Sequence, residues 1–524
     1  MLSDDDLVQL EQEGLPPEDA RRQMRLFEHP PPFIRLERAC TVGDGIRCVS
    51  ATESEAAISR YDAARTGGRL SKFVPASGAA SRMFQTLLGA RNADGPISRR
   101  TVEQRARDGD RSAGEVLAFM DHLGRFAFVA DLADRMAKDG LDARDLAERG
   151  EFSEILEYLL TDRGLGSATL PKGLITFHRY PEECRTAFEE HLVEAAAYLR
   201  DAHGVCRLHF TVSPEHAGRF QDLYRRVGPV YEQRLQVRFE VTFSIQKRST
   251  DTLAVDLDNR PLRDRDGRLV LRPGGHGALI ENLSDLEGDI VFVENIDNVV
   301  PDRLKAGNVS WKKTLAGYLL TMQESVLSHL ETLSGDAADD AVERAAGFAR
   351  DVLNIGMPAQ WASTSRTERR ARLREKLDRP LRVCGMVRNL GEPGGGPFWV
   401  RATDGGLSLQ IVESAQVDPN DRQQASLFAS ATHFNPVEIV CALRDWRGRP
   451  FDLRRCVDWD AVFIAQKSKD GRELKALERP GLWNGAMADW TTVFVETPND
   501  LFNPVKTIND LLRPQHQPLD EVRK

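Results

Sequence analysis

The chain has 524 residues, 41% hydrophobic and 29% charged, with 71 Lys plus Arg against 80 Asp plus Glu and a net charge of −9. That balance excludes a wholly disordered chain and a protein that grips nucleic acid through a broad basic field. No run approaches the roughly 18 apolar residues of a membrane span. The acidic start MLSDDDLVQLEQEG lacks the basic region and apolar core of a secretory signal. The seven cysteines are scattered with no Cys-x-x-Cys, so reduced thiols, no structural zinc and a cytoplasmic setting are expected.

At roughly 150 residues per domain the length allows about three units. Residues 1–70 read as helical, with Leu7, Leu10, Met24, Leu26 and Phe27 at helical spacing and a break at Pro30, Pro31 and Pro32. KFVPA (72–76) reads as a strand and leads through small residues into a helix, SRMFQTLLGA. Residues 92–165 carry apolar side chains three and four apart and read as a helical insertion.

RLHFTVS, RFEVTFSIQ and DIVFVENID read as strands, the last apolar enough to be buried on both faces. TLAVDLDN and GRLVLRPGG flank a polar turn and predict a hairpin. Residues 301–333 and 336–378 are helical. From Pro380 onward PLRVCGMV, PFWVRA, LSLQIVES, PVEIVCAL, DAVFIAQ and TTVFVE are strands, followed by a helix near Val505–Leu512. Strands alternating with helices predict an α/β fold with a mixed, mostly parallel sheet. Along the chain this gives an N-terminal helical extension (1–70), a core (71–378) and a C-terminal α/β part (379–524).

Four short motifs carry chemistry. In ASGAASRM (76–83) a strand ends, small residues follow and a helix begins, so that backbone N–H groups can approach a phosphate and Arg82 can clamp it. A tight turn without a ligand reads equally from these residues. LPKGLITFH presents Lys172 beside Gly173 on a Pro-fixed turn, suited to a point-charge anion contact or to plain exposure. LRPGGHGALIENL places His276 among three glycines, where backbone can approach a ring or phosphate, or simply leave a hairpin. VFVENIDN ends a buried strand in Asp297, a hard oxygen donor for Mg²⁺ or a helix cap.

The order of these motifs resembles the UDP-sugar pyrophosphorylases, in particular the UDP-N-acetylhexosamine pyrophosphorylase type of nucleotidyltransferase with a GT-A-like Rossmann core. The chain as a whole also resembles an uncharacterised bacterial family of about this length. The first resemblance implies a triphosphate loop at Ala76, Ser77, Gly78, Ala79, Ala80, Ser81, Arg82 and Met83, and a phosphate lysine at Lys172 in Pro171-Lys172-Gly173. It implies base and ribose contacts from Gln246, Gly275, His276 and Gly277, and Mg²⁺ on Asp297 beside Asn298. Glu413 and Asn435 would hold the sugar, and Lys506 in FNPVK would contact phosphate. Ser77 and Ala80 stand where that family has glycines, and the stretch between Met83 and Pro171 is longer than its bacterial members need.

The implied reaction joins a nucleoside triphosphate, UTP for the family, to a sugar-1-phosphate-like acceptor, with release of pyrophosphate. Nucleic acid and membrane are not among the expected partners. Two other readings stand beside it. Asp256-Leu257-Asp258 is an Asp-x-Asp that a GT-A glycosyltransferase would use to hold a metal–nucleotide-sugar. A nucleotide- or sugar-phosphate-binding protein without catalysis would keep the fold and alter the first loop.

Overall fold

The computed structural model describes residues 2–93, 95–335, 337–358, 360–391, 394–402, 406–469 and 472–519. The chain gathers into two compact units, both discontinuous in sequence. The first comprises Met1–Phe73, Ser244–Glu294 and Ser310–Asn499; the second comprises Val74–Phe243, Asn295–Val309 and Asp500–Lys524. Residues 1–70 and most of 379–524, expected as separate consecutive parts, thus lie in one unit.

The first unit is built on a mixed sheet. Its strands run in the order Thr41–Val42, Gly45–Arg47, Thr491–Glu496, Leu381–Arg388, Glu438–Ala442, Ile290–Glu294 and Leu70–Pro75. Four of the pairings are parallel, and Glu438–Ala442 alone runs against both neighbours. This is the α/β class and mostly parallel sheet that the alternation predicts. Ile290–Glu294 (IVFVE) is buried along its whole length, as β-branched and aromatic residues in a doubly covered strand require. Phe73, Val291, Val293, Ile439 and Phe494 meet in one core.

Two smaller sheets belong to the same unit. Leu36–Ala39, Gly396–Arg401 and Leu407–Val412 form an antiparallel triplet. The predicted hairpin pairs Thr252–Val255 with Leu271–Arg272, and Arg472–Glu478 extends it. The helices Asp4–Gln12 and Pro17–Glu28 pack Leu10, Leu26 and Phe27 against Leu253, Val255 and Leu477. The stretch 36–47, read as helix from the sequence, is strand. Its three strands are two to four residues long, too short for a period of two to register.

The second unit contains the helical insertion. Arg99–Arg107, Arg111–Asp121, Val129–Ala137, Ala143–Arg149 and Phe152–Leu160 are all helices. Ser98, Asp110 and Asp142 cap three of them with side-chain oxygens. Phe119, Phe126 and Phe128 cluster between them, with centroids 4.8 to 6.5 Å apart. The strands Val205–Val212 and Arg238–Ile245 are neighbours, and Phe188, Phe210, Phe220 and Phe243 pack together. Among the described residues no helix is long and apolar enough to cross a membrane.

Candidate functional site

The second unit draws four distant segments to one place. The first is the loop after Pro75. Ala76 N donates to Thr211 O at 2.8 Å, which ends the strand and releases the chain outward. Ser77 is half-buried, and Gly78, Ala79, Ser81 and Arg82 are exposed. A Cβ at Gly78 would meet nothing within 4 Å, so the loop presents open backbone. The helix expected at Ser81 begins instead at Gln85, after a 3₁₀ turn over Ala80–Arg82. The reason is local: Ala80 N is taken by Leu170 O at 2.8 Å, which holds this turn against the next segment.

That segment carries the Pro-Lys-Gly turn. Ala79 and Pro171 form an antiparallel bridge, and Lys172 N donates to Gly78 O at 3.4 Å. Gly173 is needed here because a Cβ would lie 2.8 Å from the Phe220 ring and 3.3 Å from Ile296. Its absence lets the turn sit down on both side chains and aims Lys172 at the third segment.

Lys172 Nζ donates to Asp297 Oδ2 at 2.5 Å and to Val505 O at 2.8 Å. Both side chains are 16% exposed. Asp297 follows the buried strand Ile290–Glu294 in sequence, and its other carboxylate oxygen has no hydrogen-bond partner among the described residues. The fourth segment is anchored to the third by backbone. Val505 N donates to Asp297 O at 3.1 Å and Asn503 N to Asn298 Oδ1 at 2.8 Å. Asn298 therefore positions chain rather than facing outward, and it is buried. Lys506 is half-buried, with its ammonium 5.4 Å from the Phe502 ring centroid. The helix expected over 505–512 is a 3₁₀ turn, Ile508–Leu512, whose Ile508 N donates to Met83 O at 3.0 Å.

Loop 76–83, Lys172, Asp297 and the Val505–Lys506 backbone are thus assembled together. Arg82 is exposed and makes no ion pair with a described residue. The carbonyl of Val505 is the member that sequence reasoning missed; a backbone acceptor leaves no mark in side-chain identity.

A second buried array in this unit was also illegible. His178 Nδ1 lies 2.9 Å from Glu190 Oε1, and His178 Nε2 lies 2.9 Å from His516 Nδ1. Tyr180 OH donates to Glu190 Oε1 at 2.7 Å, and Lys305 Nζ donates to Glu190 Oε2. Burial alone would raise the Glu190 carboxyl, but Lys305, His178 and Arg185 hold it down at about 2.

The remaining expected residues lie in the first unit. Gln246 donates to Asp251 Oδ1 at 3.4 Å. His276 Nδ1 accepts from Leu482 N at 3.1 Å, and its ring stacks on Trp483 at 4.3 Å. Burial depresses it to about 4, so it is neutral. The structure explains the surrounding glycines without a ligand. A Cβ at Gly274 would lie 2.5 Å from Thr250 O and one at Gly277 1.9 Å from Pro480 O, while Gly275 has φ +78°.

Glu413 accepts a hydrogen bond from the Trp483 side chain, and burial raises its carboxyl. Asn435 Oδ1 accepts from Val437 N at 3.0 Å, holding that residue at φ +63°. Its Nδ2 is buried and has no partner among the described residues. The Asp-x-Asp is a turn device: Asp256 Oδ1 accepts from Asp258 N and Arg260 N, and Asp258 pairs with Arg260.

No curated protein matches the chain. Solved structures do. The uridine diphosphate N-acetylglucosamine pyrophosphorylase of Trypanosoma brucei, crystallised with an inhibitor, is 13% identical with a TM-score of 0.45 over 94% of this chain and 74% of that one. A UDP-glucose phosphorylase of Trypanosoma brucei is 13% identical with a TM-score of 0.43 over 97% and 77%. The UDP-glucose pyrophosphorylase of Leishmania major is 11% identical with a TM-score of 0.42 over 97% and 77%. One family covers residues 3–517, and the chain accordingly belongs to it: the domain of unknown function DUF4301.

Proposed function

We propose that the second unit carries the phosphate-handling site of a cytoplasmic, Mg²⁺-dependent nucleotidyltransferase with a GT-A-like core. The substrates are a nucleoside triphosphate, with uridine favoured by the motif resemblance, and a phosphorylated acceptor such as a sugar 1-phosphate. The observation that supports this most directly is the bridge from Lys172 to Asp297 and Val505 O. It gathers an open loop, a cation and a carboxylate whose positions in sequence are unrelated.

The acceptor phosphate oxygen attacks the α-phosphorus of the triphosphate, and the bond to the β-phosphate breaks with release of pyrophosphate. A phosphate monoester is already ionised, so no general base is needed. The protein has to place two anions together and neutralise the charge that accumulates. Backbone N–H groups of 77–79 and the side chains of Arg82, Lys172 and Lys506 do this. Asp297 fits Mg²⁺: it is a hard oxygen donor at a strand end, with one oxygen on Lys172 and the other unengaged. Bound there, the ion would share the phosphate charge. Lys172 keeps the carboxylate aimed and is itself held by Val505 O.

The roles of Gln246, Gly275 and His276 toward the base, and of Glu413 and Asn435 toward the acceptor, rest on the motif resemblance. The buried, unpartnered Asn435 Nδ2 favours that residue among them. The glycosyltransferase reading loses its carboxylates, since Asp256 and Asp258 are engaged within their own turn. The deciding experiment incubates purified protein with Mg²⁺, four nucleoside triphosphates and a panel of sugar 1-phosphates, and measures pyrophosphate. Release that Asp297→Asn abolishes supports the reading. Absence of release with every pair refutes it.

A further inference from the structure

A cleft of about 240 Å³ opens in the first unit, lined among others by Cys48, Trp311, Arg388, Glu496 and Asn499. Three of its walls follow directly from strands that run the same way: Gly45–Arg47, Leu381–Arg388 and Thr491–Glu496. Ligands of α/β sheets collect at the carboxyl ends of such strands. The volume falls below the roughly 300–1,000 Å³ of drug-sized pockets, so the occupant is small.

Both carboxylate oxygens of Glu496 are engaged. Its Oε2 accepts from Cys48 Sγ at 3.0 Å, and its Oε1 accepts from Arg388 Nε at 3.1 Å and lies 3.4 Å from His433 Nε2. These bonds, the one from Cys48 first, hold its carboxyl below the usual range. Arg388 is the opposite case. Its backbone is locked on both sides by Asn499: the N–H donates to Oδ1 at 3.2 Å and the carbonyl accepts from Nδ2 at 2.9 Å. Its Nε is committed to Glu496, yet its two terminal NH₂ groups have no partner among the described residues, and the side chain is 72% exposed. The root of this guanidinium is fixed and its fork is open. Such a fork pairs with two oxygens of one anion. Trp311 adds a flat apolar wall, the usual complement to a few placed polar groups in a small-molecule site.

We propose that this cleft is a binding site for a small ring-bearing oxyanion, a sugar carboxylate or a sugar phosphate, held by the Arg388 fork against Trp311. None of its lining residues takes part in the nucleotidyl-transfer reading, and it stands whether or not that reading does.

Cys48 provides a reporter inside the cleft. Its proton is held by Glu496, which pushes the thiol up, so alkylation is followed at alkaline pH, where thiolate forms. The full-length protein is treated with iodoacetamide and modification of Cys48 is read by peptide mass spectrometry. The exposed Cys184, in the other unit, is the internal control. Probes are glucuronate, glucose 6-phosphate, inorganic phosphate and glucose at about 10 mM, enough to fill a millimolar site and slow the reaction about tenfold.

Glucuronate, glucose 6-phosphate or both should protect Cys48 but not Cys184, glucose should not, and Arg388→Gln should remove the protection. Which of the two protects identifies the oxyanion. Equal labelling with all four probes overturns the proposal, as does protection that survives Arg388→Gln. Protection by inorganic phosphate equal to that by glucose 6-phosphate refutes the ring requirement.

Discussion

Lys172 reaches across 125 positions of sequence to place its ammonium 2.5 Å from Asp297 Oδ2. The same ammonium closes on Val505 O, 333 positions away. Lys172→Met removes the donor to both. It should lower stability by about 1–3 kcal/mol, the cost of leaving partly buried acceptors unmet. If the site transfers nucleotidyl groups, pyrophosphate release should fall about a hundredfold or more. Asp297→Asn keeps an acceptor for Lys172. It should melt near wild type and yet lose its response to Mg²⁺. Thermal melts paired with Mg²⁺ titrations separate the two variants, and a normal Mg²⁺ response in Asp297→Asn would remove the metal from that residue.

Two glycines that look alike in sequence should behave oppositely. Gly277→Ala drives a Cβ to within 1.9 Å of Pro480 O and should cost about 1–3 kcal/mol or more, as overpacking against rigid backbone does. Gly78→Ala meets nothing within 4 Å and should leave the melting temperature unchanged. A phosphate laid against the 77–79 backbone would nevertheless feel the added methyl, so nucleotide affinity should drop in Gly78→Ala. Calorimetric titration with UTP, CTP, ATP and GTP checks this, and unchanged affinity for all four would move the triphosphate off the loop.

Acid should destabilise the fold through His516. Burial, with His178 and Arg513 beside it, depresses this ring from 6.5 to about 3. The unfolded chain therefore binds the extra proton between those pH values, and stability falls as pH drops through them, by about 1.4 kcal/mol per unit from this group. Glu190, held at about 2 against an ordinary 4.5, adds its own loss only below about 4.5. In the window from 6.5 to 4.5 His516→Gln should flatten the decline. Melting curves at pH 7, 6 and 5 measure it; parallel slopes for variant and wild type would show that His516 is protonated in the fold.

Lys312 lies inside the first unit, 2.6 Å from Glu294 and 3.9 Å from Glu438, while Lys72 reaches Glu294 at 2.9 Å. All four are buried. Lys312 is the cation that Glu294 and Glu438 have in common. Lys312→Met leaves an excess buried carboxylate and should cost about 3–5 kcal/mol. Adding Glu438→Gln removes one of the carboxylates left without that cation and should recover part of the loss. A double variant no more stable than the single would show that the charges do not act as a set.

Much of the framework was legible because it is written locally. Ile290–Glu294 is an unbroken apolar run, and the Thr252–Val255 hairpin and the capped helices of 99–160 carry their turn and cap residues with them. The meeting of Lys172, Asp297 and the Val505 backbone joins segments that only motif order, and no local pattern, connects in sequence. What escaped depends on partners far away in sequence. KFVPA reads as a strand, and nothing local marks Lys72 as fully buried beside Glu294. His178 stood within a motif singled out for its lysine, but its partner His516 is 338 positions away. The GGHG turn is the converse case: its glycines read as room for a ring, and the close backbone of residues 250 and 480 accounts for Gly274 and Gly277 without one.

The threading of the second unit sets a schedule for synthesis. Its final stretch begins at Asp500, and both partners that Lys172 and Asp297 share with Val505 are supplied by that stretch. At about 5–20 residues per second, Lys172 leaves the peptidyl-transferase centre roughly 15–70 seconds before Val505 exists. Through that interval the insertion helices can form from their own contacts, whereas the lysine–carboxylate bridge lacks its keystone carbonyl. A nascent chain released before residue 505 would carry the loop, the turn and the strand end with their own contacts, and still lack the Val505 backbone that closes on both Lys172 and Asp297.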